Sequence, residues 1–177
     1  MGLIAQKRYM LDTNVFRYKI DTSSQHKMEA KHFWRMALQE LMDNEAEIFT
    51  PAEVFRELDV QSYTMKPEEL TRIEALKKNL VVKPDSTSIS AEDLIRRISA
   101  YIRSKYKPYL DVINRGVDYP SVSDSRILLS AWEHNCVMVT ANIREFMLYL
   151  FYFQPMKTGS STYLPCSISR LILLRMN

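Results

Sequence analysis

Glycine is nearly missing from this chain. Gly2, Gly116 and Gly159 are the only three among 177 residues. Neither GxGxxG nor GxxxxGK followed by Ser or Thr can be assembled from them, which sets aside a Rossmann dinucleotide site and a Walker-type nucleotide site. Cysteine is scarce too. Cys136 and Cys166 stand too far apart for a CxxC pair, and two cysteines make no disulfide framework. Cys136 falls in an apolar, strand-like run and reads as a reduced, buried thiol, which favours a cytoplasmic setting. His26, His32 and His134 are the only histidines, and none pairs with cysteine at ligand spacing, which disfavours a structural zinc site. Long hydrophobic runs are also lacking. The longest, 146–153, falls far short of the ~20 residues that span a bilayer, so no membrane partner is expected. The apolar stretch after Lys7 and Arg8 stops at an acid within a few residues, unlike a signal peptide. Chemistry is left to carboxylates, hydroxyls and amides.

What is present suits one soluble domain spanning 1–177. Hydrophobic residues make up 46% and charged residues 25%, enough to bury a core without staples. The net charge of +3 permits a phosphate-rich partner without demanding one.

The chain is organised around Tyr9-Met10-Leu11-Asp12-Thr13-Asn14-Val15-Phe16. A short apolar run stops on an acid, and a polar pair and a new apolar pair follow. This predicts a β-strand ending at Asp12 and turning at once into a helix over 13–20. In an open α/β sheet, ligands gather outside the carboxyl ends of the strands, where Asp12 would sit. A helix cap is the competing duty for Asp12 or Thr13. Residues 26–43 repeat apolar positions at helical spacing, with a Met and Phe stripe that reads as core and His32 as structural or exposed. A second strand is expected over 46–49. Thr50-Pro51-Ala52-Glu53 then reads as a helix start, with Thr50 as N-cap, Pro51 in first place and Glu53 completing a capping box. Glu57, one turn on, has no such local duty and can lean over the mouth of the sheet.

Residues 63–120 are less typical and partly helical. Pro67-Glu68-Glu69 starts a helix, 80–83 suits an edge strand ended by Pro84, and 90–105 is helical, with Ser90 and Asp93 as a capping box. Arg96, Arg97, Arg103, Lys105 and Lys107 collect there among Tyr101, Tyr106 and Tyr109, a mixture that suits single-stranded nucleic acid but also a solvated helix face. Ser121 and Asp124 then form a capping box for a helix carrying Ile127, Leu128, Ala131 and Trp132. A buried strand over 136–140 ends in Thr140-Ala141-Asn142. The tail at about 147–177 reads as a helix, a loop and a last strand near 171–174, and an exposed aromatic face there would make a homodimer surface. Polar clusters thus recur at strand ends and helix starts on one edge of a parallel sheet, which favours an active-site acid over a cap at Asp12.

Leu11-Asp12-Thr13-Asn14, then Val54-Phe55-Arg56-Glu57-Leu58, then Asp124 with Ile127 and Ala131, then Thr140-Ala141-Asn142-Ile143-Arg144-Glu145-Phe146 resembles, in that order, the PIN-domain nucleases, above all the VapC-like ribonuclease toxins. The resemblance covers most of the chain, with 63–120 and 147–177 adding little. It implies an α/β fold, a three-layer α/β/α sandwich around a mainly parallel sheet. It also implies an acidic pocket for Mg²⁺ or Mn²⁺, cleavage of an RNA substrate, and an antitoxin protein as partner. Asp12, Glu57 and Asp124 would be the acids and metal ligands, and Asn14 and Thr140 the supporting polar residues. Many members carry aspartate where this chain has Asn142. An amide oxygen ligates a hard cation more weakly than a carboxylate does, which bears on a second metal. Glu145 or Asp118 could supply the missing charge, though both read as solvated surface acids.

Two other functions fit parts of the pattern. A PIN-like module that binds RNA or protein without cutting is suggested by Asn142 and by the basic, tyrosine-bearing stretch. A phosphotransferase with Asp12 as covalent nucleophile is disfavoured, because Asn14 stands where a second aspartate would be needed.

Overall fold

In the computed structural model, residues 6–78, 80–84, 88–110, 121–142 and 171–173 are described. β1 (Lys7–Leu11) leads directly into α1 (Thr13–Ile20), followed by α2 (Lys27–Met42), β2 (Ala46–Pro51) and α3 (Ala52–Ser62). The middle of the chain gives α4 (Pro67–Lys77), β3 (Val81–Lys83) and α5 (Ile89–Leu110). α6 (Val122–Glu133), β4 (Val137–Thr140) and β5 (Leu171–Leu173) complete the order. The strands form one parallel sheet in the order β3-β2-β1-β4-β5. With helices around it this is the expected α/β/α sandwich.

β1 is the middle strand, and its apolar residues are shut away on both faces: Tyr9, Met10 and Leu11 are all buried. That is why it reads as a continuous apolar run rather than an alternating one. Tyr9 meets the Phe33 ring of α2 edge-on at 5.7 Å, and its hydroxyl donates to Glu40 Oε2 at 2.7 Å. α2 is locked to α1 by Trp34, whose indole N–H donates to the Val15 carbonyl at 3.1 Å while its ring packs against Phe16. A buried indole needs such a partner.

The strand order fixes the site. From β1 the chain builds outward to β2 and β3, then returns to the other side of β1 for β4 and β5. The direction of winding therefore reverses between β1 and β4, the place where open parallel sheets leave a crevice beyond their carboxyl ends. Asp12 follows β1 there, and Thr140 ends β4. Pairing continues to the edge of the crevice, since the Asp12 N–H donates to the Val139 carbonyl at 3.0 Å.

A glycine-poor chain still has to turn from helix to strand. Asn44 after α2 and Asn135 after α6 do so, with φ of 58° and 55°. The next residue in each case, Glu45 or Cys136, donates its N–H back to Glu40 or Ala131 at 2.8 Å, closing the helix end. Asparagine is the side chain that best tolerates this left-handed backbone after glycine.

Two local expectations are corrected. Thr50 and Pro51 belong to β2 rather than to a cap, because Thr50 and Pro51 pair with Val82 and Lys83 of β3. Pro51 takes the N-cap place of α3 with no side-chain cap bond, and the Thr50 hydroxyl is buried without a partner among the described residues. Glu53 therefore has no capping box to complete. At α5 the helix starts before Ser90: the Ser88 hydroxyl accepts from the Ala91 N–H at 3.3 Å, and Asp93 pairs with Arg97 instead. The Ser121–Asp124 box of α6, the start of α4 at Pro67 and the edge position of β3 are as the sequence implies. β5 matches the strand expected in the tail, whereas the tail's helix and loop, with Asp118, Glu145 and Tyr109's side chain, lie outside the described residues. Among the described residues no helix is long and apolar enough to cross a membrane.

If the left-handed turn sets the end of α6, Asn135→Ala should cost about 1 kcal/mol and lower the melting temperature by about 3 °C. Asn135→Gly should leave it near that of the parent chain. Thermal melts followed by circular dichroism compare the two, and equal losses would refute the assignment.

Candidate active site at the switch point

Asp12 stands where β1 hands over to α1. It occupies the N-cap place but makes no capping bond with its side chain. Instead its Oδ2 accepts from the Thr140 hydroxyl at 2.6 Å, across the switch point, and from the Asn14 amide at 3.3 Å. Thr140 is turned toward Asp12 by its other neighbour, since its Oγ1 accepts from the Asn142 backbone N–H at 2.9 Å. Asn142 thus reaches the site through its main chain.

Asp12 is only 3% exposed, and burial pushes its pKa from the ordinary 3.8 up to about 7. The Thr140 hydroxyl opposes that rise, and the nearby charges of Asp124 and Glu57 add to it. Asp12 therefore feels the other two acids expected to act with it. Glu57 arrives from α3. Its Oε2 accepts from the Thr13 hydroxyl of α1, and its Oε1 lies 2.5 Å from Ser123 Oγ of α6. Asp124 is held by its capping box: Oδ2 accepts from the Ser121 hydroxyl at 2.6 Å and the Ser121 N–H at 3.0 Å. Among the described residues, Oδ1 of Asp124 takes no part in that box, and none of Asp12, Glu57 and Asp124 forms an ion pair with a cation.

Sequence reasoning missed three members of this edge. Ser123 Oγ also lies 2.7 Å from Glu53 Oε1, so its one hydroxyl proton is shared by two carboxylates. Glu53, expected to be a cap, pairs with Arg56 and with Arg126, the latter at 3.3 Å. Burial alone would raise the Glu53 pKa, but hydrogen bonds from Ser123, Arg56 and Arg126 outweigh it and hold the group below its usual value. Arg126 in turn reaches Glu92 of α5 at 3.1 Å. Only the placement of Ser123 and Arg126 beside Asp124 in sequence hinted at either. The basic residues Arg97, Arg103 and Lys105 lie exposed along α5, and Arg96 is half-buried with no hydrogen-bond partner for its Nε among the described residues.

Among the described residues no group of three His, Cys, Asp or Glu side chains is close enough together to hold a metal ion unaided. The donor chemistry nevertheless suits Mg²⁺ or Mn²⁺. All candidate ligands are hard oxygens, and Mg²⁺ needs only one or two carboxylates besides water. The charges of Asp124 and Glu57, which add to the larger effect of burial on Asp12, are ones a cation would relieve. Asp12 and Asp124 would be the holding residues.

No family model matches the sequence, and no curated protein matches it. The fold does match solved structures. A chain in the crystal structure of VapBC2 from Rickettsia felis, bound to a DNA fragment from their promoter, is similar over 79% of this chain and 91% of its own, with a TM-score of 0.54 at 17% identity. FitAcB from Neisseria gonorrhoeae matches over 78% and 91%, with a TM-score of 0.47 at 15% identity. These likenesses concern the fold.

The raised pKa has a measurable consequence. Asp12 titrates near its ordinary 3.8 in the unfolded chain and near 7 in the folded one, so between these values the folded state binds more protons. Stability then falls as pH rises through that window, by roughly 4 kcal/mol in all. In EDTA, the wild-type melting temperature should drop between pH 4 and pH 8, and Asp12→Asn should drop much less. Parallel pH profiles for the two proteins would show that Asp12 is not strained by its charge.

Proposed function

We propose that the chain is a metal-dependent endoribonuclease that hydrolyses phosphodiester bonds of single-stranded or structured RNA. We propose further that it serves as the toxin of a toxin–antitoxin pair. One observation carries the reading: at the switch point, Asp12, Glu57 and Asp124 share an edge with no cation among the described residues to balance them, and Asp12 is buried. Stability alone does not call for such an arrangement, whereas Glu53 beside them has its arginines. The likeness in fold to a chain of VapBC2 supports the toxin–antitoxin part, and an antitoxin protein as partner would cover the acidic edge.

A divalent cation bound here would lower the pKa of a water and neutralise charge on the transferring phosphoryl group. The residues of the chain prepare the place. Thr140 and Asn14 hold the Asp12 carboxylate in one orientation, and Asn142 fixes the Thr140 hydroxyl that does so. Thr13 and Ser123 hold one Glu57 oxygen each, which suits Glu57 to orienting water beside the phosphate rather than to direct ligation. Asp124 offers Oδ1 while Oδ2 serves the helix start. No side chain is assigned as nucleophile. Asn142, in place of an acid, points to a single tightly held metal.

A second reading, an RNA- or protein-binding module that does not cut, is favoured by the double commitment of Asp124 Oδ2 to Ser121. Purified protein incubated with single-stranded RNA and Mn²⁺ separates the two. Cleavage by the wild type, lowered roughly 10³-fold in a folded Asp12→Asn variant, is expected of the nuclease. Absence of Mn²⁺-dependent cleavage, or full activity in Asp12→Asn, would overturn it.

A further inference from the structure

The longest helix takes no part in the acidic edge beyond its first turns, yet it is tied to it. Glu57 and Glu53 meet at Ser123, Glu53 bonds Arg126, and Arg126 bonds Glu92 near the start of α5. After Asp93 the helix carries no acid. Arg96, Arg97, Arg103, Lys105 and Lys107 make five cations in 94–110, more than the +3 of the whole chain. The cations are not spread evenly around the helix. Ile95 and Ser99 turn inward and are buried, whereas Arg97, Tyr101 and Lys105, spaced four apart, share one outward stripe. Tyr101 is 62% exposed between its two cations. The Arg97–Asp93 pair at 2.7 Å is solvent-exposed and does little to hold Arg97 back from another anion.

A large aromatic ring left in water between two positive charges is poorly explained by folding. It is well explained by a ligand that presents flat rings and phosphates in alternation. Resting on RNA as the substrate of the switch-point site, we infer that the Arg97–Tyr101–Lys105 stripe of α5 binds single-stranded RNA flanking the scissile bond, with Tyr101 stacking on a base and the two cations contacting phosphates. Tyr101 lies nine residues, about two and a half turns, past Glu92 and so on the opposite side of α5. From Glu92 to Lys105 is about 20 Å of helix, so a strand running from the acidic edge would meet the stripe by crossing over the helix. An acidic protein segment would satisfy the charges but would leave the tyrosine without its stacking partner.

The wild-type chain in EDTA, which keeps any RNA intact, is titrated with a fluorescein-labelled single-stranded RNA of mixed sequence at several salt concentrations. Tyr101→Ser should weaken binding about tenfold. The double variant Arg97→Gln, Lys105→Gln should flatten the dependence of log affinity on log salt by about 1.4. Both changes are on the surface, and circular dichroism confirms that the variants fold. In Mn²⁺ the same variants should raise KM and leave kcat near that of the wild type. Unchanged RNA affinity and salt slope in all variants would overturn the surface, as would tighter binding of a poly-glutamate peptide than of RNA. If the variants bind RNA normally while the wild type cleaves it, the surface fails and the nuclease stands. If the variants lose binding while the wild type never cleaves, the surface stands and the nuclease fails.

Discussion

The hydrogen bond from Thr140 to Asp12 joins the two strands between which the sheet reverses its order. Its existence depends on register. The pairing of β1 with β4 runs Tyr9 with Val137, Met10 with Met138 and Leu11 with Val139, which brings the next residues of both strands to the same edge. A slip of one residue would send Asp12 to the opposite face and break the apolar packing of β1 at once. The hydrophobic core and the polar site therefore specify the same alignment. The buried apolar run of β1 sets it, and the Asp12 carboxylate takes the position that follows.

Around that bond the edge divides into two parts with different electrostatics. Glu53 is compensated by Arg56 and Arg126 and is held ionised. Asp12 has hydroxyl and amide donors but no cation among the described residues, and its pKa rises. Ser123 touches the boundary, with its oxygen between Glu53 on the compensated side and Glu57 on the other. A neutralised wall beside an uncompensated mouth would direct a cation to the mouth, where the charges have no cationic partner among the described residues.

The sequence made plain whatever depends on neighbours along the chain. The strand-to-helix change at Asp12, the start of α4 at Pro67 and the Ser121–Asp124 box are local events with local signals. Thr50-Pro51-Ala52-Glu53 has an equally clear local signal and still misled, because β3 extends β2 through both Thr50 and Pro51. Long-range pairing outweighed a cap whose loss costs about 1 kcal/mol. Ser123 could not be found from sequence for the opposite reason. Its role exists only because α6 meets α3 across 66 positions of chain, and a serine beside an aspartate is unremarkable until then. The parallel α/β sheet was thus readable from periodicity, the three-layer sandwich followed from the resemblance to PIN-domain nucleases, and Asp12 stood out by its place after a strand. Of the residues that orient the acids, Asn14, Thr140 and Ser121 were named from sequence, whereas Ser123 was not.

Asp124 shows that a capping duty need not occupy both oxygens of one carboxylate. The capping box uses Oδ2 for two donors of Ser121 and so fixes the side chain in one rotamer at the start of α6. A carboxylate fixed in this way loses little further freedom when its other oxygen takes a ligand, so the entropic cost of binding is already met by folding. Asp12 is fixed in the same way, with Oδ2 between Thr140 and Asn14, whereas Glu57 has one oxygen on Thr13 and the other on Ser123. Asp12 and Glu57 are each anchored by a hydroxyl from a neighbouring element, and Asp124 by the Ser121 hydroxyl at the start of its own helix. An edge assembled only for stability would draw its partners from lysine and arginine, as Glu53 does. Anchoring by hydroxyls orients the acids and leaves their charge available.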